Sequence, residues 1–515
     1  MLPFLANAYK HIHKKAIYVD NNSYSYEELI NASCELSLSL LDNSTDLKEQ
    51  RIAFMVTPGF DYVTTLWAIW SAGGIAVPLC ITHPLPALEY VLEDSSASVL
   101  ILSKSYLDIL QPYIDRKKIK YIVIEHTHST KKNLPSPLLP NIALERRALI
   151  LYTSGTTNKP KGVVTTHKNI QAQITTLIQS WEWSENDNTI CVLPLHHVHG
   201  IINVVCCSLW VGASCTFIAQ FSPPLIFELF SKRAINVFMA VPTIYFKLMT
   251  YLESIPEMEQ IQLKKMMQAF RLMVCGSAAL PVSVMERWET FSGHKLLERY
   301  GMTELGMAIS NPYNGERRAG YVGLPLPGVQ IKLVDENYQE VKNNEAGEII
   351  VYGDNVFQQY WQKPEATAES FTKEGWFKTG DIAIVENNYY RILGRNSVDI
   401  IKSGGYKISA LEIEEVLREI EDIDDCAVVG IQDDEWGEII VAAIVLQPTS
   451  PFNELKITTY LNTKLASYKK PRKYIVVNEL PRNAMGKVVK NDVKDRKSTR
   501  LNSSHTDISR MPSSA

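Results

Sequence analysis

The sequence predicts an α/β fold in two parts: a large N-terminal domain of layered sheets and helices, and a small C-terminal α+β domain. Three observations carry this. The chain has 515 residues, more than one hydrophobic core ordinarily serves. Short apolar, β-prone runs alternate with amphipathic helical stretches to about residue 390, the pattern of α/β architecture. Past Tyr389 that alternation gives way to a glycine-rich turn and a shorter run of mixed elements.

In chain order, AFMV, SVLILS, YIVIEH, ALILYT, TICVLPL, RLMVCG and VQIKLV read as strands because each is a short apolar run rich in β-branched residues. YVTTLWAIWSAGG and SVMERWETFSG lie between them and read as helices. Gly200 to Phe221 contains no charged residue, long enough to suggest a membrane span. Ser208, Gly212 and Ser214 interrupt it, so a buried helix, a turn and a strand are expected. The C-terminal part starts near Arg395. SGGYK forms a turn, and SALEIEEVLREI opens a helix with a capping box from Ser409 to Glu412. The expected domains are therefore 1–394, 395–494, and a disordered or artefactual tail at 495–515 that is rich in Ser, Thr and Arg.

Composition excludes several classes. Hydrophobic content of 46% and charged content of 21% are those of a soluble globular protein. A net charge of -4 gives no electrostatic reason to bind nucleic acid or anionic membrane. The eight cysteines include no CxxC pair, so they read as reduced core residues of a cytoplasmic protein. The first residues lack the apolar core of a signal peptide.

The stretch YTSGTTNKPKG, from Tyr152 to Gly162, follows a strand and concentrates hydroxyls, glycines and lysines. Thr153, Ser154, Thr156 and Thr157 supply hydroxyl donors, Gly155 and Gly162 permit turns, and Lys161 adds a positive charge. Consecutive backbone N–H groups in such a loop can form an anion nest. The loop is not a Walker motif, because Pro160 precedes Lys161 and Gly162 follows it. Four more clusters follow: PLHHVHG (194–200), ERYGMTE (298–304), KTGD ending at Asp381, and PRNAMGK ending at Lys487. Each taken alone also suits a core histidine cluster, a cap, a turn or a solvated lysine. Their order along one chain is the specific signal.

That order resembles the adenylate-forming superfamily of acyl-CoA synthetases, adenylation domains and luciferases, from about residue 15 to 494. The resemblance implies ATP, Mg2+ and CoA as co-substrates and cofactor. It implies that residues 153–157 and Lys161 cradle the ATP phosphates, that Gly276, Ser277, Ala278, Tyr300 and Gly301 meet the adenine, and that Thr303 meets phosphate. Glu304 and Thr156 would hold the metal, and His197 would lie at the reacting centre. Asp381 and Arg395 would hold the ribose. Lys487 would reach the carboxylate and α-phosphate oxygens, and Ser403, Gly404, Gly405 and Lys407 would face CoA after the small domain rotates. GRNSVD places three residues between Arg395 and Asp399 where many members have two, which leaves Ser397 and Val398 as hinge candidates.

Within the superfamily, PLHHVHGIINVV, GSAALP and LLERYGMTELGMA resemble malonyl-CoA synthetases. Arg299 would pair with the second carboxylate of a dicarboxylic acid, as a guanidinium does in bidentate fashion. His199 and Ser277 would add hydrogen bonds, and Val198 and Met307 would flank the carbon between the carboxylates. Another short or medium acid, or a carrier-protein adenylation enzyme, is the alternative.

Overall fold

Residues 1–124, 139–153, 159–396, 398–403, 406–433, 435–482 and 488–501 are described by a computed structural model. By packing, the chain divides into Met1–Leu280, Val284–Ile331 and Val351–Phe377 on one side, and Pro281–Ser283, Lys332–Ile350 and Lys378 onward on the other. The second unit thus starts ahead of the expected boundary at 394/395. The strands Phe377–Glu386 and Tyr389–Arg395 pair antiparallel, and that hairpin packs with the strand Gly347–Tyr352.

Two sheets build the first unit. A seven-stranded sheet runs Gln359–Tyr360, Lys161–Thr166, Arg147–Thr153, Ile75–Pro78, Arg51–Met55, Val99–Ser103, Lys120–Ile124. From Arg147–Thr153 to Lys120–Ile124 the strands are parallel, and the central ones are covered on both faces and continuously apolar. A nine-stranded sheet carries Asn188–Cys191, Val237–Ala240, Leu272–Cys275, Leu297–Met302 and Gly306–Ser310 toward one end. Helices Pro223–Lys232, Pro242–Ser254 and Val282–Ser292 supply the side chains that cover this sheet, with Phe230, Tyr245, Met249 and Trp288 at its centre.

Among the described residues the strand expectations hold, with one early stop: the strand drawn from TICVLPL ends at Cys191, and the end of YIVIEH, Glu125 and His126, lies outside the described residues. The uncharged stretch is a helix, a turn and the strand Ser214–Phe217. Its first part, His199–Cys206, is wound as a π-helix, a form that concentrates at functional sites. No helix among the described residues is long and apolar enough to cross a membrane. All eight cysteines are free and buried.

In the second unit, Tyr406–Ser409, Ile400–Ser403, Gly437–Leu446 and Ile423–Asp433 form a sheet, with Lys473–Val476 parallel to Gly437–Leu446. Ser409 caps the helix Ala410–Arg418 by accepting from Glu412 N, as expected. The reciprocal half of the capping box is missing, because the Glu412 carboxylate pairs with Lys469 at 2.7 and 2.8 Å.

Candidate active site

The strand Arg147–Thr153 delivers the chain to the hydroxyl-rich loop, and Lys161–Thr166 brings it back antiparallel, with Thr153 opposite Lys161. Ser154, Gly155, Thr156 and Thr157 lie outside the described residues. Gly162 proves to be a strand residue rather than a turn residue. A Cβ there would sit 2.8 Å from Ile150 Cγ2, 3.2 Å from Tyr152 Cζ and 3.3 Å from Trp361 Cβ, so only glycine leaves room for these neighbours. Helix Leu85–Asp94 fastens both arms of the loop. Tyr90 donates its hydroxyl to Pro160 O at 2.8 Å, and Tyr152 donates to Asp94 Oδ2 at 2.7 Å.

Thr303 and Glu304 occupy the turn between Leu297–Met302 and Gly306–Ser310. Glu304 is 7% exposed. Its Oε1 accepts the Tyr360 hydroxyl at 2.9 Å, and the Tyr360 ring lies 5.0 Å from Lys161 Nζ. The phosphate-loop lysine and the acid of the Thr-Glu pair are therefore brought to one tyrosine. Nothing in QQYWQKP distinguished Tyr360 in the sequence; it acquires its place through a two-residue strand, Gln359–Tyr360, paired with Val163 and Val164.

The strand Leu297–Met302 sets Glu298 and Arg299 on opposite faces. Glu298 Oε1 accepts from Leu280 N at 3.1 Å. Arg299 turns the other way and is 3% exposed. Its Nη2 donates to Ser277 Oγ at 3.3 Å, and Ser277 Oγ also lies 3.0 Å from His199 Nδ1. Its Nε has no hydrogen-bond partner. No carboxylate among the described residues forms an ion pair with it. Burial pushes the guanidinium down to about 10, which leaves it charged at neutral pH. Gly276 makes this placement possible, because a Cβ there would lie 2.6 Å from Arg299 Cζ. Ser277 follows with φ of 69°, an unusual left-handed backbone for serine.

The histidines of PLHHVHG share one environment. His196 and His197 rings are 4.0 Å apart, and His83 lies 6.0 Å from His196. Burial, with neighbouring rings adding to it, lowers His196 to about 3 and His197 to about 4. Burial and then the Arg299 charge push His199 well below its usual value. All three are neutral at pH 7, so they can accept or donate hydrogen bonds without adding charge. Val198 caps the π-helix. Met307 reaches over Gly301, where a Cβ would lie 2.6 Å from Met307 Cε. A bulge between Tyr300 and Gly301 interrupts the pairing there. Ala278 is half-buried, one residue beyond Ser277.

In the second unit, Asp381 and Arg395 are opposed across the hairpin and joined by a 3.0 Å bond from Arg395 Nε to Asp381 Oδ1. Asp399 Oδ2 accepts from Arg395 N at 3.1 Å. Lys490, buried, lies 2.6 Å from Asp399 and 2.7 Å from Glu414. Ser403 is buried and pairs with Tyr406. Gly404, Gly405, Ser397 and Lys487 lie outside the described residues. So does the side chain of Lys407.

With this geometry in hand, the similarity to known proteins is informative. Residues 4–361 match the family described as AMP-binding enzyme, and 412–487 match its C-terminal domain. The chain is 41% identical to the mitochondrial malonate–CoA ligase ACSF3 of Bos taurus, over 93% of this chain and 87% of that one. It is 38% identical to malonate–CoA ligase of Arabidopsis thaliana, over 93% and 85%. ATP-bound MatB from Rhodopseudomonas palustris superposes with a TM-score of 0.87 at 30% identity, covering 96% of this chain and 99% of that one. Matched along both its main and its C-terminal parts, the chain belongs to the AMP-binding enzyme family.

Proposed function

We propose that this chain is an AMP-forming acid–CoA ligase whose acid is malonate or its methyl homologue. One observation carries the specificity: a buried, charged Arg299 bonded to Ser277, beside His199, with no carboxylate paired to it among the described residues. Leaving such a charge buried is costly unless a partner arrives. The distal carboxylate of a dicarboxylic acid supplies one in bidentate geometry. The curated relatives named as malonate–CoA ligases support this reading.

In the reaction the proximal carboxylate oxygen attacks the α-phosphorus of ATP. The bond to pyrophosphate breaks, giving an acyl-adenylate. The CoA sulfur then attacks the acyl carbon and AMP leaves. Two anions must approach in the first step, so fixed positive charge is the main requirement. Lys161 and the 153–157 loop hold phosphates, with Thr303 beside them. Gly276, Ala278, Tyr300 and Gly301 flank the adenine, and Asp381 with Arg395 holds the ribose. His197, neutral, orients the reacting carboxylate. Val198 and Met307 limit substituents on the central carbon. Lys487, on a small mobile domain that begins near Arg395, neutralises charge in the first step. Ser403, Gly404, Gly405 and Lys407 then serve CoA.

Glu304 suits Mg2+. No three His, Cys, Asp or Glu side chains converge as a metal cage among the described residues. A single buried carboxylate completed by phosphate oxygens is how this ion is commonly held. Thr156 would add its hydroxyl. The ion would neutralise phosphate charge.

The product, a short dicarboxylic thioester, suits fatty acid metabolism. Buried, reduced cysteines suit the cytoplasm, and the mitochondrial relatives make the matrix the second reading, which cell fractionation decides. The test of function is a CoA-thioester assay over malonate, methylmalonate, succinate, acetate and butyrate, with AMP and pyrophosphate measured. Malonate or methylmalonate should lead. Preference for an unsubstituted monocarboxylic acid, or ADP as product, overturns the reading.

A further inference from the structure

Two groups of opposite charge meet on one uncharged side chain. Tyr360 is 8% exposed. Its hydroxyl donates to Glu304 Oε1 at 2.9 Å, and its ring lies 5.0 Å from Lys161 Nζ. The backbone around it is tied to the same two partners. Trp361 N donates to Gly162 O at 2.7 Å and Gln358 N to Val164 O at 3.0 Å, which fastens the segment to the strand that carries Lys161. Phe357 N donates to Glu304 O at 2.7 Å, which fastens it to the turn that carries Glu304. Thr367 Oγ1 accepts from Tyr360 N at 3.0 Å and holds the residue from behind.

We propose that Tyr360 is a positioning residue for the adenylation step, its hydroxyl orienting the Glu304 carboxylate toward the metal and its ring face holding the Lys161 ammonium toward phosphate. This rests on the ligase reading above. A phenol that donates to a carboxylate gains electron density in its ring, and an electron-rich face attracts a cation more strongly. The two contacts therefore reinforce each other. The bond to Oε1 fixes the rotation of the carboxylate that would hold Mg2+. The lysine is held by a π face rather than by a carboxylate. A carboxylate partner at that position would compete with phosphate for the lysine; a tyrosine does not.

The test is ATP binding by calorimetry across a Mg2+ series, without acid or CoA, so that nothing turns over. Wild type, Tyr360→Phe, Tyr360→Leu, Glu304→Gln and the Tyr360→Phe/Glu304→Gln pair are compared. Tyr360→Phe keeps the ring and should raise the Mg2+ concentration needed for half-maximal effect about tenfold, the scale of a hydrogen bond to a charged group. Tyr360→Leu should add a loss of about threefold that persists without Mg2+, from the lysine contact. On the Glu304→Gln background, Tyr360→Phe should change the Mg2+ dependence no further. A wild-type Mg2+ response that Glu304→Gln abolishes but Tyr360→Phe leaves intact overturns the positioning role. A loss of ATP affinity in Tyr360→Phe that is equal at all Mg2+ concentrations, with a lowered melting temperature, also overturns it. Wild-type binding indifferent to both Mg2+ and Glu304→Gln instead overturns the assignment of Glu304 on which the proposal stands.

Discussion

On the proposed reading, one residue, Arg299, selects the acid. The neighbouring acid, Glu298, faces the opposite side of the strand and accepts from Leu280 N, so it forms no ion pair with Arg299, although its charge still favours the charged guanidinium. Arg299→Ala should therefore cost malonate far more than butyrate, which has no second charge. Leaving the distal carboxylate unpaired in a buried site costs about 3–5 kcal/mol. At about 1.4 kcal/mol per tenfold, kcat/KM for malonate should fall by about a hundredfold to a few thousandfold. ATP affinity should hold. Equal losses for both acids, measured side by side, would mean that Arg299 serves the fold. The arginine was legible through the resemblance, because it stands directly before the YGMTE motif, where a fixed positive charge meets the acyl pocket. Gly276, which leaves room for it, was legible only as a member of a motif, since a missing Cβ matters through a contact 23 residues away in the chain.

At the scale of elements, the strands were readable wherever both faces are buried, because burial imposes a continuous apolar run. The two-residue strand Gln359–Tyr360 left no such trace, and with it Tyr360 escaped notice. The capping serine at 409 was read correctly, yet its glutamate was taken by Lys469, 57 residues on, which no local rule anticipates. Lys490 is another such long-range tie. It anchors the helix Lys490–Leu501 to Asp399, next to the hinge candidates, and to Glu414 on the helix Ala410–Arg418. Burial alone would lower its ammonium, but Glu414 and Asp399 outweigh that and raise it, so it stays charged. Lys490→Met should destabilise the second unit by up to about 3–5 kcal/mol, because the buried Glu414 and the partly exposed Asp399 lose their common counter-charge. Adding Asp399→Asn and Glu414→Gln should recover part of the loss. Urea unfolding followed through Trp436 measures both, and full stability in the single variant would show that the ion pairs contribute nothing.

For the whole molecule, the proposed roles divide between the two units: phosphate loop, Thr-Glu turn and acyl pocket in the first, ribose pair and Lys487 in the second. That distribution predicts separable half-reactions. Lys487→Ala should abolish pyrophosphate release from ATP and malonate yet still convert supplied malonyl-adenylate and CoA to thioester. Parallel loss in both assays would assign Lys487 to structure or to both steps. The cysteines bear on how such a division of labour can be watched. All eight are buried, and burial pushes Cys191, Cys206 and Cys426 up to about 12. A thiol at such a pKa holds almost no thiolate at neutral pH, and the thiolate is the form that maleimides attack. Burial shields all eight from reagents, so the native chain is a chemically quiet background. One new surface cysteine in each unit would carry a donor and an acceptor dye without any native cysteine first being replaced, and a single molecule's colour would report each turnover as it happens.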